Sequence, residues 1–216
     1  MQQIQAPYIP DINDQTGLNT LSARLDTQQH FKVEETPWGI QGRKPEVRFA
    51  IVHFGTGIAL KFYVEEQYTI ARYQQSNDPV YKDSCVEFFI ALGEEEVYYN
   101  FEFNSLGSCL MGFGPQLRAN RTYQPPEIID QIKRSASLQT TRPGSAVRWE
   151  ITVMIPIAVF CHHKLASLSG RECRANFYKC GDELPLPHFL SWNNIRAQQP
   201  DFHQPAFFGK LFFLKS

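Results

Sequence analysis

Asp83, Cys85 and Glu87 recur at every second position in the stretch Asp83-Ser-Cys-Val-Glu-Phe-Phe-Ile. A few residues on, Tyr98, Asn100, Glu102 and Asn104 do the same in Val97-Tyr-Tyr-Asn-Phe-Glu-Phe-Asn. Side chains alternate across a strand, so each set falls on one face. If the two strands pair, Glu87 and Glu102 become neighbours. Two such carboxylates accept hydroxyl hydrogen bonds, as a polyol or sugar site requires. Alternatively they form a glycosidase acid/base pair, which needs a separation of about 5–5.5 Å or 6.5–9.5 Å across the scissile bond. Ion pairs with Arg148 or Arg174 on a solvated sheet face are the plainer expectation.

Other candidates are weaker. His162-His163 cannot both reach one metal, because adjacent side chains point apart. His188, His203 and Asp201 lie in Pro-containing loops and match no zinc spacing. No Gly-x-Ser-x-Gly elbow is present. The five cysteines, Cys85, Cys109, Cys161, Cys173 and Cys180, are odd in number and lack paired metal spacing. They read as buried fillers or free thiols, with a mild preference for a reducing compartment. Cytoplasmic residence is expected from the sequence as given, and a secreted or periplasmic location if a leader has been removed.

The elements that must position these groups are strands. Val47, Phe49 and Ile51 alternate, Gly55-Thr-Gly57 turns, and Ile58, Leu60, Phe62 and Val64 return, which reads as a hairpin. Val86, Phe88, Ile90 and Leu92 form the apolar face opposite Glu87, and Val97, Tyr99, Phe101 and Phe103 that opposite Glu102. Val147, Trp149, Ile151, Val153 and Ile155 alternate most cleanly, up to Pro156, so Trp149 belongs to the core. Further strands are expected over Tyr68–Tyr73, Cys173–Cys180 and Gly209–Leu214, and an edge over Ile128–Ser135. Pro143-Gly144-Ser145 is a turn. Short helices are expected at Leu18–Leu25 and Ile157–Leu165. The pattern predicts an all-β antiparallel sandwich of two sheets, jelly-roll or immunoglobulin-like, with short peripheral helices. It forms a single domain over 1–216, in which residues 1–30 are an N-terminal extension packing on the sandwich.

A formal net charge of −1 gives no field to recruit nucleic acid or an anionic membrane. No run approaches the ~20 apolar residues of a membrane span.

Three segments in order, Asp83–Ile90, Tyr99-Asn-Phe-Glu-Phe-Asn-Ser-Leu-Gly107 and Trp149-Glu-Ile-Thr-Val-Met-Ile-Pro156, resemble the carbohydrate-binding modules of family 9 and their family 9-like relatives. Arg174–Asp182, Ser191-Trp192 and Pro200–Gly209 extend the resemblance, which covers residues 30 to 214. It implies a β-sandwich related to the DOMON fold that binds sugars or glycan ends, often beside a glycoside hydrolase. In that family a sugar is clamped between two aromatic rings, with Glu, Arg and Asn supplying hydrogen bonds. The resemblance therefore implies Tyr81 as the first ring, in the place of a tryptophan, and Glu87 as the carboxylate. It implies Arg118 or Arg121 as the arginine and Trp192 as the second ring, with Asn193 or Asn194 beside it. Asn104 and Asn176 are further candidates for reading hydroxyls. Structural calcium is a family trait, for which Asp78 and Asp83 are the candidates. A haem-binding DOMON relative would need axial ligands, for which Met154, on the face opposite the core, is available.

Overall fold

The structure is a computed structural model that describes residues 1–140 and 146–216. The Pro143-Gly144-Ser145 turn lies outside the described residues. In chain order the strands are β1 (Gln3–Ala6), β2 (Phe31–Lys32), β3 (Glu46–His53), β4 (Gly57–Glu66), β5 (Cys85–Ala91), β6 (Tyr98–Asn104) and β7 (Cys109–Gly114). They continue with β8 (Thr122–Tyr123), β9 (Lys133–Thr140), β10 (Val147–Pro156), β11 (Glu172–Cys180), β12 (Phe189–Ser191) and β13 (Gly209–Phe213). Helix α1 spans Leu18–Asp26 and the single turn α2 spans Pro126–Ile129.

These strands make two sheets. The larger runs β1-β13-β11-β5-β6-β7-β8, with β12 beside β11, and the smaller runs β2-β3-β4-β10-β9. All described pairings are antiparallel except β1 with β13. The alternating apolar residues of both sheets meet between them. Phe88, Phe101 and Phe177 of the larger sheet lie against Phe49 and Phe62 of the smaller, with the Phe49 and Phe177 rings 3.8 Å apart and nearly parallel. Trp149 is in this core.

The N-terminal segment is an integral cover. β1 adds an edge strand to the larger sheet, and α1 buries Leu21 and Leu25 against the outer face of the smaller sheet, over Ala50, Val52, Ala59 and Met154. Met154, expected to be available to a cofactor, is sealed under this helix. At the helix end, Asp26 Oδ1 accepts hydrogen bonds from Lys61 Nζ and from the Tyr63 hydroxyl, each at 2.6 Å. Burial alone would raise the Asp26 carboxyl, but those bonds hold it below its ordinary value. Asp26→Ala leaves the buried Lys61 ammonium to Glu150 alone, 2.8 Å away. It is expected to cost about 1–2 kcal/mol and to speed amide exchange over residues 18–26, as hydrogen–deuterium exchange would report. Unchanged exchange there would show that the apolar contacts of α1 suffice.

Several local expectations change. Tyr68–Tyr73 is not a strand: the amides of Arg72 and Tyr73 bond to Asp83 Oδ2, which holds the segment as a loop. The expected helix at Ile157–Leu165 shrinks to one turn, Ile157–Val159. The edge near Ile128–Ser135 starts with α2 and becomes the strand β9 only at Lys133. The expected polar, open face of β5 and β6 is buried. Phe89 and Ala91 share the face of Glu87, and Tyr98 that of Glu102. With Tyr178 they draw in Val80, Ile195, Phe202 and Phe208 from two covering loops to make a second apolar cluster.

Candidate functional site

The covering loops leave one opening over β5, β6 and β11. It is a cleft of about 210 Å³, and its floor includes Glu87 and Glu102. The register places these two residues directly opposite each other on adjacent strands. Both carboxyls are buried. Burial, reinforced by Cys180 and Glu102, pushes Glu87 well above the ordinary carboxylate range. Burial also raises Glu102, to about 7, although a hydrogen bond from Asn100 and the charges of Arg118 and Arg121 act against it. Asp182, at the rim, is raised by burial to about 6. Two buried carboxyls and a third at the rim, all with raised proton affinity in one concavity, make it the candidate site.

Two arginines face these acids. Arg121 is fixed: its guanidinium donates to Asn100 Oδ1 (2.6 Å), Gly114 O (2.7 Å), Pro115 O (2.8 Å) and Tyr98 O (3.0 Å), and lies 4.0 Å above the Tyr98 ring centre. Two glycines make room for this. A Cβ on Gly112 would come within 2.6 Å of Asn100 Oδ1, and one on Gly114, at φ +147°, within 2.9 Å of the Arg121 Cα. Arg118 is more exposed and holds Asp201 Oδ1 at 3.1 Å. Arg121 therefore shapes the wall, while Arg118 is free to turn its donors to a ligand.

Of the residues named from the sequence, the cleft brings together Tyr81, Glu87, Glu102, Arg118 and Arg121. Trp192, Asn104 and Asn176 lie elsewhere, as do Asn193 and Asn194. Trp192 is 2% exposed, packs edge-on against Phe177 in the core and sits against Gly209, where a Cβ would meet its ring at 2.4 Å. Its neighbours in sequence are polar, but it immediately follows β12, which turns its ring inward. Asn104 is buried and spends its amide on Tyr73 O and Asp83 Oδ2, bracing the loop behind Tyr81. Asn176 bonds Asn193 O and the Asn193 amide, pinning the segment after β12. Besides Tyr81, the cleft is lined by Phe189, Phe202 and Tyr123, and Tyr123, on β8, is 60% exposed. Its position two residues after Arg121 was the available signal. Asn100, Asp182 and His203 also line the cleft. His203 accepts or donates a 2.7 Å bond with the Tyr98 hydroxyl and is held neutral by burial, its pKa pulled down to about 3.

The residues do not fit a calcium cage. Asp78 Oδ2 accepts the amides of Gln74 and Gln75, and Asp83 Oδ2 takes two amides and Asn104, so both acids serve the loop itself. His162 and His163 diverge as expected: His162 stacks on Phe113, while His163 bridges the Tyr99 hydroxyl and Glu95. Among the described residues, Cys85, Glu87 and Cys180 are the group whose ligand atoms converge within metal-binding range.

Among the described residues, no helix is long and apolar enough to cross a membrane. No curated protein matches the chain. Solved structures do. A protein from Bacteroides uniformis described as carbohydrate-binding is 34% identical, with a TM-score of 0.90 over 98% of this chain and 99% of that one. A carbohydrate-binding module of family 9 from Caldicellulosiruptor kristjanssonii, solved with glucose, is 10% identical, with a TM-score of 0.65 over 100% of this chain and 97% of its own. The same organism's family 9 module with cellotriose gives 11% identity and a TM-score of 0.61, covering 100% and 95%. The profile of carbohydrate-binding family 9 matches residues 19–213, and the chain belongs to that family.

Proposed function

We propose that the protein binds carbohydrate without cleaving it, taking one sugar ring at a glycan end into the cleft over β5, β6 and β11. The observation that carries this is the lining itself. The carboxyls Glu87 and Glu102, the donor Arg118 and the phenol rings of Tyr81 and Tyr123 line one cleft. A pyranose presents apolar C–H faces to aromatic rings and hydroxyls to polar groups at its rim. A cleft of this volume accepts one ring, not a chain lying across the sheet. The related modules solved with glucose and cellotriose support the same class of ligand. A glycosidase would separate its two carboxyls into one proton donor and one ionised partner. Here burial drives both upward, which favours binding over hydrolysis. A glycoside hydrolase working alongside is a proposal drawn from the family resemblance.

Calorimetric titration with glucose, cellotriose and a wider panel tests the assignment. Tyr81→Ala is expected to weaken the best ligand at least tenfold, about 1.4 kcal/mol; its ring also packs against the second apolar cluster, so some stability is lost too and the variant's circular dichroism must match the parent's. If no sugar binds at millimolar concentration, or if Tyr81→Ala binds as tightly as the parent, the proposal fails.

A further inference from the structure

The floor of the cleft has a second chemical feature. Alternation along β5 puts Cys85 and Glu87 on one face, and the antiparallel register sets Cys180 of β11 directly opposite Cys85. The three side chains converge: Cys85 Sγ, a Glu87 carboxylate oxygen and Cys180 Sγ all lie within 4.8 Å of one another, and Cys180 Sγ donates to Glu87 Oε1 at 3.1 Å. All three are buried, yet Glu87 and Cys180 line the cleft, so an ion has a route in. We propose that Cys85, Glu87 and Cys180 form a binding site for a thiophilic divalent cation, Zn2+ by class, with an open fourth position toward the cleft.

The donor set selects the metal. Two thiolate sulfurs and one carboxylate oxygen suit zinc and its soft relatives and exclude calcium and magnesium, which require oxygen cages. Three protein ligands with one open position is the arrangement of exchangeable zinc sites, whereas structural sites close all four. An independent observation points to the same spot. Glu102, opposite Glu87 in the register, is buried and faces the cleft, and its Oε2 has no hydrogen-bond partner. That oxygen is free to accept a proton from a water or sugar hydroxyl held at the fourth position. Two thiolates and one carboxylate would leave the loaded site with a single negative charge, facing Arg118 and Arg121.

The site is tested without any sugar, so its failure leaves the carbohydrate assignment standing, and the reverse holds too. The full chain, reduced and freed of metal by chelation, is titrated with Co2+ and then Zn2+. One Co2+ per chain is expected, with the near-ultraviolet thiolate-to-cobalt band, and Zn2+ should displace it and raise the melting temperature. Cys180→Ser should abolish the band. Glu87→Gln, isosteric and better able to fold, should weaken binding at least tenfold. Absence of the band in the reduced wild-type chain would overturn the proposal, whatever the variants do. So would its persistence in Cys180→Ser, or recovery of Cys85 and Cys180 as a disulfide that takes no metal once reduced.

Discussion

Lys179→Met is expected to destabilise the protein by about 3–5 kcal/mol, because it removes one half of a buried ion pair. Lys179 on β11 and Glu66 on β4 join the two sheets, with Nζ and Oε2 2.9 Å apart and the two side chains 0% and 2% exposed. Other bonds hold the pair in place. Glu66 Oε1 accepts from Trp149 Nε1 at 2.6 Å, and Lys179 also donates to Cys180 O at 2.8 Å and meets His188 Nε2 at 2.9 Å. Burial and the Lys179 charge pull the His188 pKa down to about 3, so the ring is neutral and serves as an acceptor for that ammonium. Methionine fills the space of the lysine stem but strands the Glu66 carboxylate between the sheets, several kcal/mol from its solvated state. Urea unfolding at pH 7 would measure the loss, equivalent to a fall of roughly 10 °C in a chain of this size. The double variant Lys179→Met/Glu66→Gln keeps an acceptor for Trp149 and strands no charge, so it should recover most of the stability. A single variant as stable as the parent would mean that water reaches the pair.

The core was legible because its pattern is local. Val86, Phe88 and Ile90, or Trp149, Ile151 and Val153, alternate over a full strand, and a shift of one residue would expose the whole set. The ion pair was not legible, since Glu66 and Lys179 lie far apart in sequence and meet only when the sheets stack. The same holds for the site. Tyr81 and Glu87, both implied by the family resemblance, lie just before and within one strand, so a single local element keeps them together. The second aromatic required knowing which way a loop folds, and there Trp192 misled. The resemblance implies it as the second ring, yet β12 pairs with β11 and turns the indole into the core. Asn104 and Asn176 misled for a related reason: buried amides that brace loops carry the same sequence signature as amides that read ligands. Phe89, Ala91 and Tyr98, sitting among the polar positions, were the signal that the outer face of the larger sheet is covered.

Glu102→Gln should trade function for stability, and the direction depends on pH. In the metal-free protein burial raises the Glu102 pKa from its ordinary 4.5 to about 7. An acid whose folded pKa lies above its unfolded value penalises folding where both states are ionised, above about pH 7. The penalty fades as pH falls through 7 and is gone below about 4.5, where both states are protonated. Glutamine keeps the shape and carries no charge, so it escapes the penalty. The variant is expected to be more stable than the parent at pH 8 by on the order of 3 kcal/mol, and nearly equal to it near pH 4.5. Chemical denaturation at the two values would show the gain appear and vanish. The hydrogen bond from Asn100 Nδ2 to Glu102 Oε1, 3.0 Å long, remains available to the amide oxygen. What is lost is the unpartnered Oε2 as an acceptor, because glutamine places an NH2 group at one of the two positions. Sugar affinity at pH 8 should therefore fall at least tenfold while the fold becomes firmer. On the proposed function, this carboxylate is kept in the floor of the cleft against its own folding cost because it accepts from the sugar. If glutamine left both stability and binding unchanged, Glu102 would be a passive part of the sheet and the acceptor role would pass to Glu87 and Asp182.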